Sequence, residues 1–283
     1  MILITGHRGF IGQHLCRGLD KRWIKWVGYD IVDGQDIRNL FQLDNFFKDH
    51  QFDKVIHLAA MVGVRSSTEF PDEYITTNII GTQNIISCCK KYDIKKLIHF
   101  SSSSVYGNNP PHKEEDRLEP ISIYAITKMA GEKLVQISGL PSATIIRPFT
   151  VYGENGRRDQ VIYKWINQIK KSQPITFLGN GKTRRGYTYV NDLVSGVLVS
   201  LDNLSGGVSI YNLGGTEIKT LEDLLHIFQT VLHSFKVNYL PLPGGDVVET
   251  WANIDKAEKE LGYNPQPNFC RNIESIIKKE FNL

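Results

Sequence analysis

Through the first half of the chain, short continuous apolar runs alternate with longer stretches in which apolar residues return every three or four positions. The runs at 1–5, 25–30, 54–58, 96–100 and 144–147 predict strands, and residues 11–19, 40–49, 74–92 and 122–138 predict helices. A strand that is apolar throughout must be covered on both faces, and helices inserted between successive strands provide that cover. The pattern therefore predicts an α/β fold with a doubly wound parallel sheet of the Rossmann type.

Beyond residue 150 the alternation fades. Glu154-Asn155-Gly156-Arg157 and Gly179-Asn180-Gly181 punctuate loops, helical periodicity returns at 160–171 and 221–234, and Pro265 and Pro267 interrupt a helical tail at 254–283. We read 1–150 as the sheet domain and 151–283 as a smaller C-terminal lobe, interleaved with the first and not folding independently. No internal repeat or low-complexity segment is evident.

Charge narrows the partners. The 283 residues carry 33 basic and 30 acidic side chains, a balance too even for a nucleic-acid or membrane footprint. No apolar stretch reaches the roughly 18 residues of a membrane span, and residues 1–5 enter a glycine turn without a basic leader, so a cytoplasmic protein is expected. Cys16, Cys88, Cys89 and Cys270 lack metal or redox spacing and are expected to be buried free thiols, with no metal site.

The glycine turn is Thr5-Gly6-His7-Arg8-Gly9-Phe10-Ile11-Gly12, directly after the first strand and opening a helix. Gly6 allows a tight turn, Gly9 lets a pyrophosphate approach the backbone, and Gly12 lets the helix pack closely on the strand. Asp30 closes the second strand where a carboxylate would hold the adenosine ribose hydroxyls. Together these predict a dinucleotide site. Asp30 would repel a 2′-phosphate and so favours NAD over NADP; Arg8 pulls the other way, since a guanidinium in the turn could neutralise that phosphate. Asp36 and Ile37, downstream, are candidates for the adenine, with an exposed loop aspartate as the alternative for Asp36.

Tyr124 and Lys128 stand one helical turn apart and share a face. A phenol with a pKa of about 10 is a poor base at neutral pH, but a neighbouring ammonium and a positive nicotinamide ring favour the phenolate. Tyr124 could then act as base and, later, as acid.

With the glycine turn, His57-Leu58-Ala59-Ala60, Ser101-Ser102-Ser103-Ser104-Val105-Tyr106-Gly107, Tyr124/Lys128, Arg147-Pro148 and Leu261-Gly262-Tyr263-Asn264-Pro265 in place, nearly the whole chain resembles the extended short-chain dehydrogenases of the epimerase and dehydratase group. The resemblance implies a catalytic Ser102 beside Tyr124 and Lys128. It also implies cofactor contacts at Phe10, Ile11, Leu58, Ala59, Ala60 and Asn78.

Dehydratases of the group place Asp-Glu after the catalytic hydroxyl residue, decarboxylases have Glu where Ser104 stands, and epimerase-reductases have Cys there. None of these is present. The resemblance then implies C4 epimerisation of a UDP-sugar, and Ala60–Arg65, Thr150 in Phe149-Thr150-Val151-Tyr152-Gly153, and Arg184–Val190 draw it toward the UDP-glucuronate 4-epimerases. Glu154-Asn155 and Gly186 depart from that pattern, where Pro-Trp and Asp are usual. The implied substrate contacts are Arg65, Ser102, Ser103, Thr150, Arg185 at the diphosphate, and Asp246 near the uridine ribose. Competing readings are a neutral-sugar epimerase acting on UDP-glucose or UDP-N-acetylglucosamine, and a catalytically silent NAD-binding regulator. Helical residues 74–92 and 122–138 resemble the pair that forms a homodimer interface in relatives.

Overall fold

Ile2, Leu3, Ile4 and Thr5 are all buried, as a strand covered on both faces must be. In the computed structural model, which describes residues 1–203, 206–242 and 247–283, they form β1 (Ile2–Thr5). There follow α1 (Phe10–Lys21), β2 (Trp26–Tyr29), α2 (Leu40–Asp49), β3 (Lys54–His57), α3 (Val64–Glu69), α4 (Pro71–Ile75), α5 (Thr82–Lys91), β4 (Lys96–Phe100), α6 (Ile123–Gln136) and β5 (Ser142–Pro148). The second half adds β6 (Val151–Tyr152), α7 (Val161–Lys170), β7 (Ile175–Leu178), β8 (Arg184–Gly186), β9 (Thr188–Tyr189), α8 (Val190–Asp202), β10 (Gly207–Leu213), β11 (Ile218–Thr220), α9 (Leu221–Leu232), β12 (Val237–Leu240), β13 (Glu249–Thr250), α10 (Asp255–Leu261) and α11 (Phe269–Phe281).

Six strands make one sheet in the order β10-β5-β4-β3-β1-β2, and every neighbouring pair is parallel. Alternate residues of β1 separate the two faces: Ile2 and Ile4 join a core with α1, α8 and α10, whereas Leu3 joins one with α2, α5 and α6. The lobe has its own core of Trp165, Phe228, Phe269, Ile273 and their neighbours on α7, α9 and α11. The strand order reverses between β1 and β3, so the crevice at their carboxyl ends is where a doubly wound sheet binds its ligand.

Two expectations need correction. The boundary at 150 does not divide the sheet, because its edge strand β10 and the covering helix α8 come from the second half. Gly207 and Val208 open β10 exposed, which masks its buried end Tyr211–Leu213 in the sequence. The helix expected at 74–92 is also not uniform, since a π-helical turn, Thr76–Gly81, stands between α4 and α5. Threonine hydroxyls back-bond at either end of it, Thr76 to the Asp72 carbonyl at 2.8 Å and Thr82 to the Asn78 carbonyl at 2.7 Å, and such bonding perturbs the regular ladder. Of the four thiols, Cys16, Cys88 and Cys89 are buried and free as expected, while Cys270 is free but exposed. No helix among the described residues is long and apolar enough to cross a membrane.

Candidate active site

The turn between β1 and α1 has room for glycine alone at its two ends. Gly6 has φ +74°, and a Cβ there would stand 2.7 Å from the Ala59 amide nitrogen; at Gly12 it would stand 2.3 Å from the Gly6 carbonyl oxygen. Gly9 is the N-cap of α1 and offers no side-chain cap. The first amides of the helix are therefore left to an outside acceptor such as a phosphate.

Asp30, 6% exposed, faces this turn at the end of β2. Its carboxylate accepts from the Arg8 amide at 2.9 Å and the Val32 amide at 3.0 Å, which fixes both oxygens. The Arg8 guanidinium turns to Asp33 instead, at 2.6 and 3.0 Å. Its charge is thus already matched, and the argument for a 2′-phosphate loses its main support. Asp36 is held by the Arg38 guanidinium, which keeps its carboxyl below the usual range; Ile37 is buried against Gly81. These residues fit an NAD molecule.

From the turn a cavity of about 1290 Å³ extends across the ends of β1, β3 and β4 to the lobe. Small-molecule sites commonly occupy about 300–1000 Å³, so this one has room for two ligands side by side. The predicted Gly6, Arg8, Gly9, Phe10, Ile11, Gly12, Asp30, Asp36, Ile37 and Leu58–Ala60 line it, as do Arg65, Ser102, Ser103, Tyr124, Lys128, Thr150 and Arg185. Asn78, buried behind the lining, grips the Met61 backbone, accepting from its amide at 2.8 Å and donating to its carbonyl at 3.0 Å. Asp246 lies outside the described residues.

Ser122 caps α6 through the Ala125 amide, and the helix then sends Tyr124 and Lys128 inward, 9% and 5% exposed. The Tyr124 hydroxyl lies close enough to Ser102 for that hydroxyl to favour the phenolate, while the Ser102 hydroxyl donates to Ser104 Oγ at 3.1 Å. Ser102, two residues beyond β4, caps the short turn Ser103–Val105, its Oγ accepting from the Ser104 amide at 3.2 Å. The strand-end capping role and the position beside the phenol therefore coexist.

Burial pushes the Tyr124 phenol up, and only the Ser102 hydroxyl and the Arg157 charge oppose it. Burial also pushes Lys128 down to about 8, against the attraction of Glu132. In the protein alone the phenol therefore stays protonated at neutral pH, and the further positive charge expected of a nicotinamide ring is needed to release its proton. Below Lys128 lie two buried histidines. Burial holds His57 down to about 3 and His99 well below its ordinary value.

The lobe wall contributes cations that the sequence reading passed over. Arg157, in the segment read only as a loop, lines the cavity and acts electrostatically on both Tyr124 and Tyr74, with Asp159 as its ion-pair partner. Arg158 and Lys164 line the same wall. Arg185 reaches the cavity too, but its guanidinium also donates to the carbonyls of Val247 and, at 2.8 Å, Val248. The Glu154 departure has a local cause: its carboxylate accepts from the Tyr189 hydroxyl at 2.9 Å, and its carbonyl meets the His14 ring nitrogen at 2.8 Å. At Gly186 a Cβ would stand 2.8 Å from the Trp251 Cβ and 3.1 Å from its Cα, so glycine there lets the Trp251 backbone pass closely.

Residues 2–214 match the model of the NAD dependent epimerase/dehydratase family. A UDP-glucuronate 4-epimerase of Thermodesulfobacterium geofontis is 37% identical over 99% of this chain and 94% of its own. UDP-glucuronate 4-epimerase 4 of Arabidopsis thaliana is 34% identical over 98% of this chain and 74% of its own. Among solved structures, the UDP-glucuronic acid 4-epimerase of Bacillus cereus in complex with UDP-glucuronic acid and NAD superposes with a TM-score of 0.90 at 32% identity, covering 98% of this chain and 99% of that one.

Proposed function

The chain belongs to the NAD dependent epimerase/dehydratase family, and from that premise we propose that it is an NAD-dependent UDP-sugar 4-epimerase that interconverts UDP-glucuronate and UDP-galacturonate. The observation that carries this reading is the single cavity in which Ser102, Tyr124 and Lys128 meet both the glycine turn and the cationic wall of the lobe. Among the described residues, eight cationic side chains line it against four acidic ones. Arg8 among them is already matched by Asp33, and the positive lining suits the diphosphates of two nucleotides and a sugar carboxylate.

When bound, NAD supplies the hydride acceptor and donor and a positive charge. Tyr124 takes the proton of the 4-hydroxyl as that carbon is oxidised, and returns it when the carbon is reduced on the other face. Ser102 stands beside the phenol and so holds the sugar oxygen at the same point. Lys128, protonated below about 8, keeps the region positive while the phenolate forms. Between the oxidation and the reduction the 4-keto sugar turns over, which requires the lobe to grip the nucleotide while leaving the ring free.

The 4-ketone of a uronate is a β-keto acid and loses carbon dioxide when its carboxyl bond aligns with the carbonyl π system. Thr150, Ser103 and Arg157 line the cavity, Arg157 within electrostatic reach of Tyr124, and supply donors to hold the carboxylate out of that alignment. Purified protein incubated with UDP-glucuronate is expected to give UDP-galacturonate and no UDP-pentose, followed by proton NMR of the anomeric signals. A pentose product, or faster turnover of UDP-glucose or UDP-N-acetylglucosamine, would overturn the uronate assignment. Tyr124→Phe is expected to abolish turnover and retain NAD.

The same reading includes a homodimer and a cytoplasmic setting. Ile75, Ile80 and Ile126 are each 43–49% exposed on α4, the π-helical turn and α6, an apolar face suited to a second copy. Light scattering that gives only monomer mass would remove the dimer. The three buried free thiols suit a reducing compartment.

A further inference from the structure

Beneath the reactive residues lies a buried ion pair that the reaction as described does not use. Glu132, one turn beyond Lys128 on α6, is 0% exposed, and Arg147 on β5 is 2% exposed. The guanidinium takes both carboxylate oxygens, Nε at 2.9 Å and a terminal nitrogen at 2.7 Å. The Ser101 hydroxyl donates to the same carboxylate. Arg147 then extends the joint, donating to the Tyr106 hydroxyl at 2.6 Å and the Glu114 carbonyl at 3.0 Å. The Tyr106 hydroxyl donates to Asn212 at 2.7 Å on β10.

We propose that Glu132 and Arg147 are positioning residues, which fix the segment after β4 that bears Ser102 against the face of α6 that bears Tyr124 and Lys128, and which set the charge that faces the Lys128 ammonium. A buried pair made only for stability is replaceable by an apolar pair. This one joins α6, β4, β5 and β10 at the residue before Ser102, so its loss lets the serine and the phenol drift apart, and catalysis is sensitive to displacements of about 1 Å. The groups around Lys128 complete the electrostatics. His57 from β3 and His99 from β4 are held neutral by burial, and Tyr124 shares the face of α6; Glu132 is the group that opposes the loss of the lysine's proton.

The inference rests on the assignment of Tyr124 and Lys128 to proton handling. Its test is the paired variant Glu132→Gln/Arg147→Met, which leaves no lone buried charge, assayed for kcat, KM and the pH dependence of kcat beside Tyr124→Phe. The expected result is a thermal transition close to that of the unaltered protein and a kcat lowered about 100-fold. KM should stay within about twofold, and the alkaline limb of kcat should move down by about one pH unit because Lys128 loses its proton more readily. Ser101→Ala, which removes one hydroxyl and no charge, is expected to lower kcat about fivefold. A folded double variant with unchanged kcat and pH profile overturns the proposal, as does an unchanged Ser101→Ala if the double variant fails to fold. Full activity of Tyr124→Phe would strike instead at the epimerase assignment.

Discussion

The cavity has two walls that recognise their ligands by different means. The wall on the side of β1 and β2 is mostly backbone: the glycine turn, the uncapped start of α1, the Leu58–Ala60 segment, and one carboxylate, Asp30, pinned by two amides. The wall on the lobe is long side chains, Arg157, Arg158, Lys164 and Arg185, carried on loops, on α7 and on the short strand β8. Backbone recognition permits few residues at fixed spacings, because a single added carbon closes the site. Side-chain recognition requires only that charges converge, and many sequences can arrange that.

The difference is sharpest in what one methyl group does. Gly12→Val places a Cβ 2.3 Å from the Gly6 carbonyl and 2.7 Å from the His7 Cα, both backbone, so the turn must open. NAD affinity is expected to fall by about three orders of magnitude, roughly 4 kcal/mol, measured by fluorescence titration. Micromolar NAD binding by this variant would mean that the turn is adaptable and that the two walls do not differ as described.

The backbone wall also rests on an uncharged histidine. His57 meets the Thr5 hydroxyl at 2.7 Å and the Thr82 hydroxyl at 3.1 Å, and burial holds it down to about 3. The unfolded chain takes up its proton near 6.5 while the folded chain does not until about 3. The unfolded state therefore binds more protons in this window, and stability falls as pH falls through it. Full passage is worth of order 5 kcal/mol from this one group, with His99 acting in the same direction. His57→Asn is expected to flatten the acid side of a denaturation profile; an unaltered slope between those pH values would place the acid sensitivity elsewhere.

On the lobe wall the expected losses are smaller and selective. Arg157→Leu removes a charge that acts on Tyr124 and a donor for the sugar carboxylate. It is expected to lower kcat/KM for UDP-glucuronate about 100-fold, roughly 2.7 kcal/mol, with NAD affinity unchanged by titration. An equal loss with UDP-glucose would show that Arg157 serves the phenol and not the carboxylate.

These same contrasts explain what could be read from the chain alone. The parallel sheet was legible because β1, β3 and β4 each carry a short apolar run between helix-periodic stretches, and the dinucleotide wall because Gly6, Gly9, Gly12 and Asp30 leave little else to explain their spacing. Tyr124 and Lys128 were legible through their shared helical face. The grip of Asn78 on Met61 was not legible, since it depends on a π-helical turn that no local periodicity announces. Arg157 was overlooked because Glu154-Asn155-Gly156-Arg157 looks like any polar turn until the fold brings it opposite α6. The strand β10 was missed because its exposed first residues hide a buried end.

The finest test lies where a side chain intrudes on the backbone wall. Arg8 is the one long cation at the glycine turn, and Asp33 now holds its guanidinium at 2.6 Å. The Arg8 amide, not its side chain, serves Asp30, so an uncharged partner at 33 should free the guanidinium without disturbing the carboxylate that selects a ribose hydroxyl. Asp33→Asn is therefore expected to raise NADP affinity about fivefold, leaving NAD affinity unchanged, because Asp30 continues to repel the added phosphate. The ratio of the two affinities, measured at one ionic strength, separates the contributions. If NADP gains nothing, Arg8 does not reach the ribose and selectivity belongs to Asp30 alone; if NAD weakens as well, the ion pair is part of the turn's own geometry, and a side chain has become as exacting there as the glycines beside it.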